Sequence, residues 1–337
     1  MKNRKILLMD RPSFWGAEPQ HSIRNLLTEI REIATDFDVE YIEEQALLDS
    51  EEKGKRTELT RRSVGNAEIV VAFDLGIEAF QEAKNLKWLH ILGAGVDHAL
   101  YAELADSDVL MTSSKGNGGI PMAETALAYM LFFQKNILQN LKAQQSKKWN
   151  PAVNRELNKQ TVGIIGLGHS GADLAQKCKA FHMRTLGLRR SDKPCPGIDE
   201  MFSYDRLQEF LRESDFVVIT VPNTKETKDM LGDSEFEAMK DTAYLIVTSR
   251  GGVANDHSLL KALNKGWIAG AALDAHTEEP LSQDNPFWEA PNTIITAHMA
   301  STGQWIEERT SEQLLDNIKR YVDGKTLLAT INKKVGY

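Results

Sequence analysis

Between residues 5 and 111, short apolar runs alternate with segments whose apolar positions recur every three or four residues. Lys5–Met9, Asp38–Ile42, Ile69–Phe73, Trp88–Leu92 and Val109–Thr112 have the length and composition of buried strands, and the segments between them, such as Ser22–Thr35, carry helical spacing. This alternation predicts a parallel sheet wrapped by helices. Pro121–Gln145 predicts one long helix with proline in its first turn. It is too apolar for a single buried stripe, so it is expected to be covered by another domain or subunit. A second series of strands follows at Thr161–Ile165, Met183–Leu188, Phe216–Thr220, Tyr244–Val247, Ile268–Ala272 and Thr293–Thr296. The helical stretch Ile306–Gly324 closes the chain and could return to the first domain. The charged stretch Glu51–Arg62 reads as a solvated loop or helix face.

The strongest local signal is where Thr161–Ile165 runs into Gly166-Leu167-Gly168-His169-Ser170-Gly171 and then into helical spacing at Leu174, Cys178 and Phe181. With 23 glycines in the chain, G-x-G-x-x-G alone is weak. Between a buried strand and a helix it acquires a mechanism. Gly166 permits the tight turn, Gly168 lets the backbone approach a pyrophosphate, and Gly171 lets the helix pack close to the strand. The N–H groups of the helix's first turn then face the phosphates. The next strand ends at Arg189-Arg190-Ser191, where an NAD-binding unit usually carries a carboxylate for the ribose 2′-hydroxyl. Two guanidiniums there point to NADP(H), with NAD, and an ordinary basic surface turn, as the alternative.

Length and composition narrow the class. At 337 residues the chain is expected to form two domains, and 42% apolar with 26% charged residues fits a globular protein. A net charge of −8 argues against nucleic acid or an anionic membrane as partner. No apolar run reaches the length of a membrane span, the first ten residues lack a signal-peptide pattern, and Cys178 and Cys195 form no CxxC. A cytoplasmic enzyme without a structural disulfide or metal site is expected.

Three ionisable residues lie just past predicted strands of the second series: Arg250, Glu279 and His298. An arginine can hold a carboxylate at two points, and a histidine can exchange a proton near neutral pH while a carboxylate fixes its tautomer. Hydride transfer at a nicotinamide needs such a clamp and such a proton partner. In the first series, Gly93-Ala94-Gly95-Val96-Asp97 follows a strand directly and could offer backbone N–H groups to an anion; a plain tight turn is the alternative on these residues alone.

These segments, with Ala123-Glu124, Ser249-Arg250-Gly251-Gly252, Ala271-Ala272-Leu273-Asp274, Glu278-Glu279-Pro280-Leu281 and Thr296-Ala297-His298, resemble in order and spacing the signatures of the D-isomer-specific 2-hydroxyacid dehydrogenase family. The resemblance implies an α/β fold of two Rossmann-like or flavodoxin-like domains, with parallel sheets around a cleft. The substrate domain would be discontinuous (residues 1–108 with 303–337), the dinucleotide domain would span 109–302, and the protein would form a homodimer. Arg250 would bind the 2-oxoacid carboxylate, His298 would be the acid/base, Glu279 would pair with His298, and Gly93, Ala94, Gly95 and Val96 would contact the substrate. The expected cofactor contacts are Gly166, Gly168, His169, Ser170, Gly171, Arg189, Arg190, Ser191, Pro222, Thr248 and Asp274. Departures from the family pattern include Ala297 for proline before the histidine, Met299-Ala300-Ser301-Thr302 for a glycine-bearing stretch, and His276 for a frequent phenylalanine. Phe14, Trp15 and Trp305 could shape an acyl pocket or be ordinary core aromatics, and His98 and His169 are expected to make local hydrogen bonds. The reading is an NADP(H)-dependent reductase of a small 2-oxoacid such as glyoxylate or hydroxypyruvate. A nucleotide-sensing partner-binding protein of the corepressor type, or an NAD-preferring dehydrogenase, is the alternative.

Overall fold

A computed structural model describes residues 4–10, 19–43, 63–191 and 193–336. The predicted readings at Phe14, Trp15 and Glu51–Arg62 lie outside these residues, while Trp305 is described and stands exposed before the last helix. The chain begins β1 (Arg4–Asp10), α1 (Pro19–Ile33), β2 (Phe37–Glu43), β3 (Ile69–Ala72), α2 (Ile77–Glu82), β4 (Trp88–Ile91), α3 (Ala102–Ala105) and β5 (Leu110–Ser113). It continues α4 (Gly119–Gln134), α5 (Ile137–Gln145), β6 (Thr161–Ile165), α6 (His169–Ala180), β7 (Arg184–Leu188), β8 (Glu200–Phe202), α7 (Leu207–Glu213) and β9 (Phe216–Ile219). It ends α8 (Asp233–Ala238), β10 (Tyr244–Val247), α9 (Asp256–Lys265), β11 (Gly270–Leu273), β12 (Thr293–Ile295) and α10 (Ile306–Val322).

The chain divides into two compact units, Met1–Asn117 with Gly303–Tyr337, and Gly118–Thr302. In the first unit the described strands form a parallel sheet of order β2-β1-β3-β4-β5. That is the flavodoxin-like order, with its switch point between β1 and β3. Consecutive residues of a strand face opposite sides, so a sheet covered on both faces needs continuous apolar runs rather than alternation. Leu7, Val70 and Leu89 face one apolar layer. Ile6, Leu8, Ile69 and Val71 face the other, where Leu26 and Ile30 of α1 meet Leu314 and Ile318 of α10. The closing helix therefore completes the core of the first unit.

The sequence places the division at 108/109, and the two compact units meet along the chain at 117/118. β5 pairs with β4 in the register Trp88↔Leu110, and the tail adds a bridge between Thr112 and Thr330, so β5 belongs to the first sheet.

In the second unit the order is β12-β11-β10-β9-β6-β7-β8, again parallel throughout. Counted from β6, this is the Rossmann order extended by a strand, and the order reverses at β6 and β9. Val162, Ile164, Val218 and Ile246 pack against α4 and α6 through Ala126, Met130, Phe133, Leu174 and Cys178. Burial pushes the Cys178 thiol up to about 12, which leaves it an apolar packing group. Ile165, Ile219, Leu245 and Val247 face the opposite layer with Phe210, Phe236 and Leu259.

The single helix expected over Pro121–Gln145 is two helices. Asn136 adopts a left-handed backbone (φ 50°), which asparagine tolerates better than most residues, and its side chain donates to the Val153 carbonyl and Asn154 Oδ1. Only α4 is buried, within the second unit; α5 has no buried residue. No helix among the described residues is long and apolar enough to cross a membrane.

Candidate active site

The glycine turn has the shape that a pyrophosphate needs. Gly166 leaves β6 with φ +95°, a conformation side-chain-bearing residues rarely adopt, and a Cβ on Gly171 would stand 2.1 Å from the Gly166 carbonyl oxygen. A Cβ on Gly168 would meet nothing within 4 Å, so the backbone there is bare toward open space. Gly168 is also the N-cap of α6 and provides no side-chain cap, so the first-turn N–H groups are available to an anion. His169 is exposed on that turn, and the Ser170 hydroxyl is turned toward Met122 Sδ. These residues fit a dinucleotide.

Beyond β7, Arg189 Nε donates to the Ser191 carbonyl at 3.1 Å and Arg190 Nη1 pairs with Glu226 Oε2 at 2.7 Å. Both guanidiniums thus stand at the C-terminal end of β7, beside the glycine turn in the sheet order. Pro222 is exposed after β9. Thr248, an expected cofactor contact, is 2% exposed, and its hydroxyl faces the Ile219 carbonyl of β9.

Arg250, Glu279 and His298 come from three chain segments that leave the C-terminal ends of β10, β11 and β12, and the structure brings them together. His298 Nδ1 lies 2.7 Å from Glu279 Oε2, and Arg250 Nη1 lies 3.4 Å from His298 Nε2. A carboxylate can only accept, so Nδ1 carries the ring proton and Nε2 presents its lone pair on the side of Arg250. Arg250 Nη1 also donates to the Ser249 carbonyl at 2.8 Å, which fixes the guanidinium. Burial alone would raise the Glu279 carboxyl. The backbone N–H of His276 and the His298 ring outweigh it and hold the group below the usual carboxylate range. Glu279 is therefore ionised and able to stabilise an imidazolium. About a third of each side chain stays exposed, 33% for His298 and 37% for Glu279, so the pair meets solvent at the sheet edge.

Contacts not visible in the sequence hold the histidine from behind. His298 has a left-handed backbone (φ 51°), a strained conformation for a residue with a side chain. Its N–H donates to the Asp274 carbonyl, while the Asp274 carboxylate accepts from Thr296 Oγ1 at 2.5 Å, from the Met299 N–H at 2.9 Å and from the Ala300 N–H at 2.8 Å. Thr296 spends its one proton on Asp274, so Tyr129 of α4 must donate to Thr296 across their 2.7 Å contact. Asp274 is fully buried. Where a cofactor contact is expected, its carboxylate ties down the turn that presents His298. His276, where a phenylalanine is frequent, donates from Nε2 to the Thr296 carbonyl at 3.0 Å and adds a polar brace to the same turn.

In the first unit, the Gly93 and Ala94 carbonyls of the loop after β4 are engaged. Ser113 Oγ donates to the Ala94 carbonyl and the Ser114 N–H donates to the Gly93 carbonyl. Among the described residues, no backbone N–H from Gly93 to Val96 finds a partner. Val96 anchors the loop in the core at 2% exposure, while Ala94 is exposed. Beneath it, Trp88 Nε1 donates to Thr112 Oγ1, which lies 2.8 Å from His90 Nδ1, and Ser114 Oγ lies 3.4 Å from His90 Nε2. His98 Nε2 donates to the Phe73 carbonyl, on the segment that follows β3.

Comparison with known proteins agrees with this geometry. A family model described as the NAD-binding domain of D-isomer-specific 2-hydroxyacid dehydrogenases matches residues 127–300, about half of the chain. A glyoxylate reductase from Thermofilum pendens is 33% identical over 267 residues, which are 77% of this chain and 78% of that protein. Among solved structures, a D-isomer-specific 2-hydroxyacid dehydrogenase family protein from Aeromonas salmonicida superposes with a TM-score of 0.82 at 26% identity, covering 99% of this chain and 100% of the other. A D-isomer-specific 2-hydroxyacid dehydrogenase from Xanthobacter autotrophicus, in complex with NADPH and MES, gives 0.80 at 25% identity, covering 98% and 99%. With the glycine turn, the histidine–glutamate pair and the adjoining arginine all in place, the chain belongs to the D-isomer-specific 2-hydroxyacid dehydrogenase family.

Proposed function

We propose that the protein is an NADP(H)-dependent 2-oxoacid reductase, or D-2-hydroxyacid dehydrogenase, acting on a small substrate such as glyoxylate or hydroxypyruvate. The observation that carries this reading is the 2.7 Å His298–Glu279 pair with Arg250 at 3.4 Å, at the strand ends of a dinucleotide-binding sheet. When bound, a nicotinamide supplies the hydride. Arg250 anchors the oxoacid and polarises its carbonyl, and the doubly protonated His298 gives the Nε2 proton to the carbonyl oxygen. Glu279 stabilises the imidazolium before transfer and fixes the Nδ1–H tautomer after it. The N–H groups of Gly93–Val96, which find no partner among the described residues, are proposed for the substrate carboxylate.

The preference for NADP(H) over NAD(H) rests on Arg189 and Arg190 standing where a carboxylate would otherwise receive the ribose diol, and on the NADPH bound by the Xanthobacter relative. A charge-assisted bond is worth about 1.5–3 kcal/mol, reduced by solvent at exposed groups. The expected preference therefore falls at the lower end of about ten- to a hundredfold. The test is kcat/KM with NADPH and NADH across a panel of 2-oxoacids, in the wild type and in Arg189→Asp. Turnover that favours NADPH, with the preference shrinking in the variant, supports the reading. A wild-type preference for NADH would remove the cofactor assignment, and no turnover with any oxoacid would remove the enzymatic one.

A homodimer in the cytoplasm is proposed with it. Leu141 of α5, with Trp149 and Val153 beyond it, is apolar and exposed, Trp149 at 98%. Sedimentation of Leu141→Lys as a smaller species than the wild type would support self-association through this stretch; identical monomeric sedimentation of both would refute it.

A further inference from the structure

The pair between Arg190 and Glu226 joins two loops that are not neighbours in the sheet. Arg190 leaves β7 and Glu226 follows β9, and these are the two strands that flank β6. Adjacent strands lie about 4.8 Å apart, so the pair spans roughly 10 Å across the end of β6, where the glycine turn departs. Its two charges sit at the mouth of the dinucleotide site.

The Glu226 backbone is held in place. Thr224 N–H donates to Thr227 Oγ1, Glu226 N–H donates to Thr224 Oγ1, and Thr227 Oγ1 donates to the Pro222 carbonyl at 2.6 Å. The turn that carries Glu226 is pinned, so the pair opens through its two side chains. Tyr204 lies close enough that the charges of Arg190 and Glu226 act on its hydroxyl in opposite directions.

We propose that Glu226 is a specificity-determining residue that competes with the ribose 2′-phosphate for Arg190, and so lowers the discrimination the arginine pair would otherwise give. This rests on the NADP(H) reading above. A phosphate monoester carries between one and two negative charges near neutral pH, and a carboxylate held on the same guanidinium repels it. With a plain 2′-hydroxyl, the ion pair stays closed at no electrostatic cost. The site therefore keeps a measurable affinity for the unphosphorylated dinucleotide while favouring the phosphorylated one. Both side chains are about half exposed or more, at 47% and 64%, which limits the effect to a few-fold.

The experiment measures calorimetric binding of 2′,5′-ADP and of 5′-ADP to the wild type, Glu226→Gln, Arg190→Gln and the double variant. Both side chains are at the surface, and circular dichroism verifies that the fold is kept. Glu226→Gln is expected to tighten 2′,5′-ADP about two- to fivefold and leave 5′-ADP unchanged. Arg190→Gln is expected to weaken 2′,5′-ADP selectively, and the gain from Glu226→Gln should shrink in its presence, as coupled neighbours require. If Arg190→Gln acts selectively but Glu226→Gln changes nothing, or changes both probes alike, the competition is overturned and the cofactor reading stands. If Arg190→Gln fails to distinguish the two probes, Arg190 does not meet the 2′-phosphate, and the competition falls together with Arg190's part in the cofactor reading.

Discussion

At the scale of single residues, the chemistry depends on which nitrogen of His298 carries a proton. Glu279 takes the Nδ1–H, and in the proposed reaction Nε2 is the atom left for the substrate oxygen, on the side where Arg250 stands. Replacing His298 with asparagine removes the proton carrier but not the sheet edge, so kcat is expected to fall by about 10²–10⁴-fold with dinucleotide affinity kept. Glu279→Gln retains an acceptor but loses the charge that stabilises the imidazolium. Its new amide would also confront the His276 N–H that now donates to Glu279 Oε1. Its kcat loss should be about ten- to a thousandfold, smaller than or equal to that of the histidine variant, and the double variant should be little worse than the single ones because the pair works as a unit. Steady-state kinetics with a saturating oxoacid check this; near-normal turnover of His298→Asn would take the residue out of the reaction.

At the scale of elements, the presentation of His298 depends on a buried carboxylate on a neighbouring strand end. Asp274 accepts two backbone N–H bonds and one hydroxyl from the turn at 296–300, and α4 supports that hydroxyl through Tyr129. Asp274→Asn turns one acceptor oxygen into a donor that must face another donor, a loss of about 1–3 kcal/mol. For a unit of this size it lowers the unfolding temperature by about 2–4 °C per kcal/mol. It also frees the strained His298 backbone to relax, so kcat should fall with the stability, and an unchanged kcat in a destabilised protein would show that the turn does not position the histidine. This shell was illegible in the sequence for a definite reason. Strand ends, the glycine turn and Arg250, Glu279 and His298 could be found because their chemistry follows local spacing and family signatures. Whether Thr248 or Asp274 points into the core or toward a ligand depends on how the last residues of a strand are rotated, which spacing does not encode. The same limit hid the break at Asn136, since one left-handed residue leaves the apolar pattern of the two flanking helices uninterrupted. It also hid the membership of β5, which is decided by pairing with β4 and with the chain's own tail.

At the scale of the whole molecule, two parallel sheets cover their strands on both faces, and a polar group enclosed between such layers links stability to pH. His90 of β4 is such a group: fully buried, between Thr112 and Ser114, with burial lowering its pKa to about 3. The hydrogen bonds are satisfied by a neutral ring. Thr112 Oγ1 accepts from Trp88 and has its own proton to give to Nδ1, which leaves Nε2–H for Ser114, whose hydroxyl can then turn to the Ile91 carbonyl. In the unfolded chain the same imidazole titrates near 6.5. Between about pH 6.5 and 3 the unfolded state therefore binds a proton that the folded state does not, and linkage makes stability fall as pH falls, by up to about 1.4 kcal/mol per pH unit. Above about 6.5 both states are neutral, and the contribution is flat. Native carboxylates with lowered pKa, such as Glu68 beside Arg4, add their own losses only at lower pH, as they approach the ordinary carboxylate range. Between about pH 7.5 and 5.5 the carboxylates contribute little, and because the chain has eight histidines the His90 part is the difference between the wild type and a His90 variant. Chemical denaturation there should show the wild type losing about 1.4 kcal/mol from this group, while His90→Gln, which keeps polar atoms in the network but no titrating ring, should be less stable at neutral pH and lose that dependence. Parallel pH profiles for the two proteins would mean that His90 accepts a proton in the folded state and that the neutral network beneath the Gly93–Val96 loop is wrongly assigned.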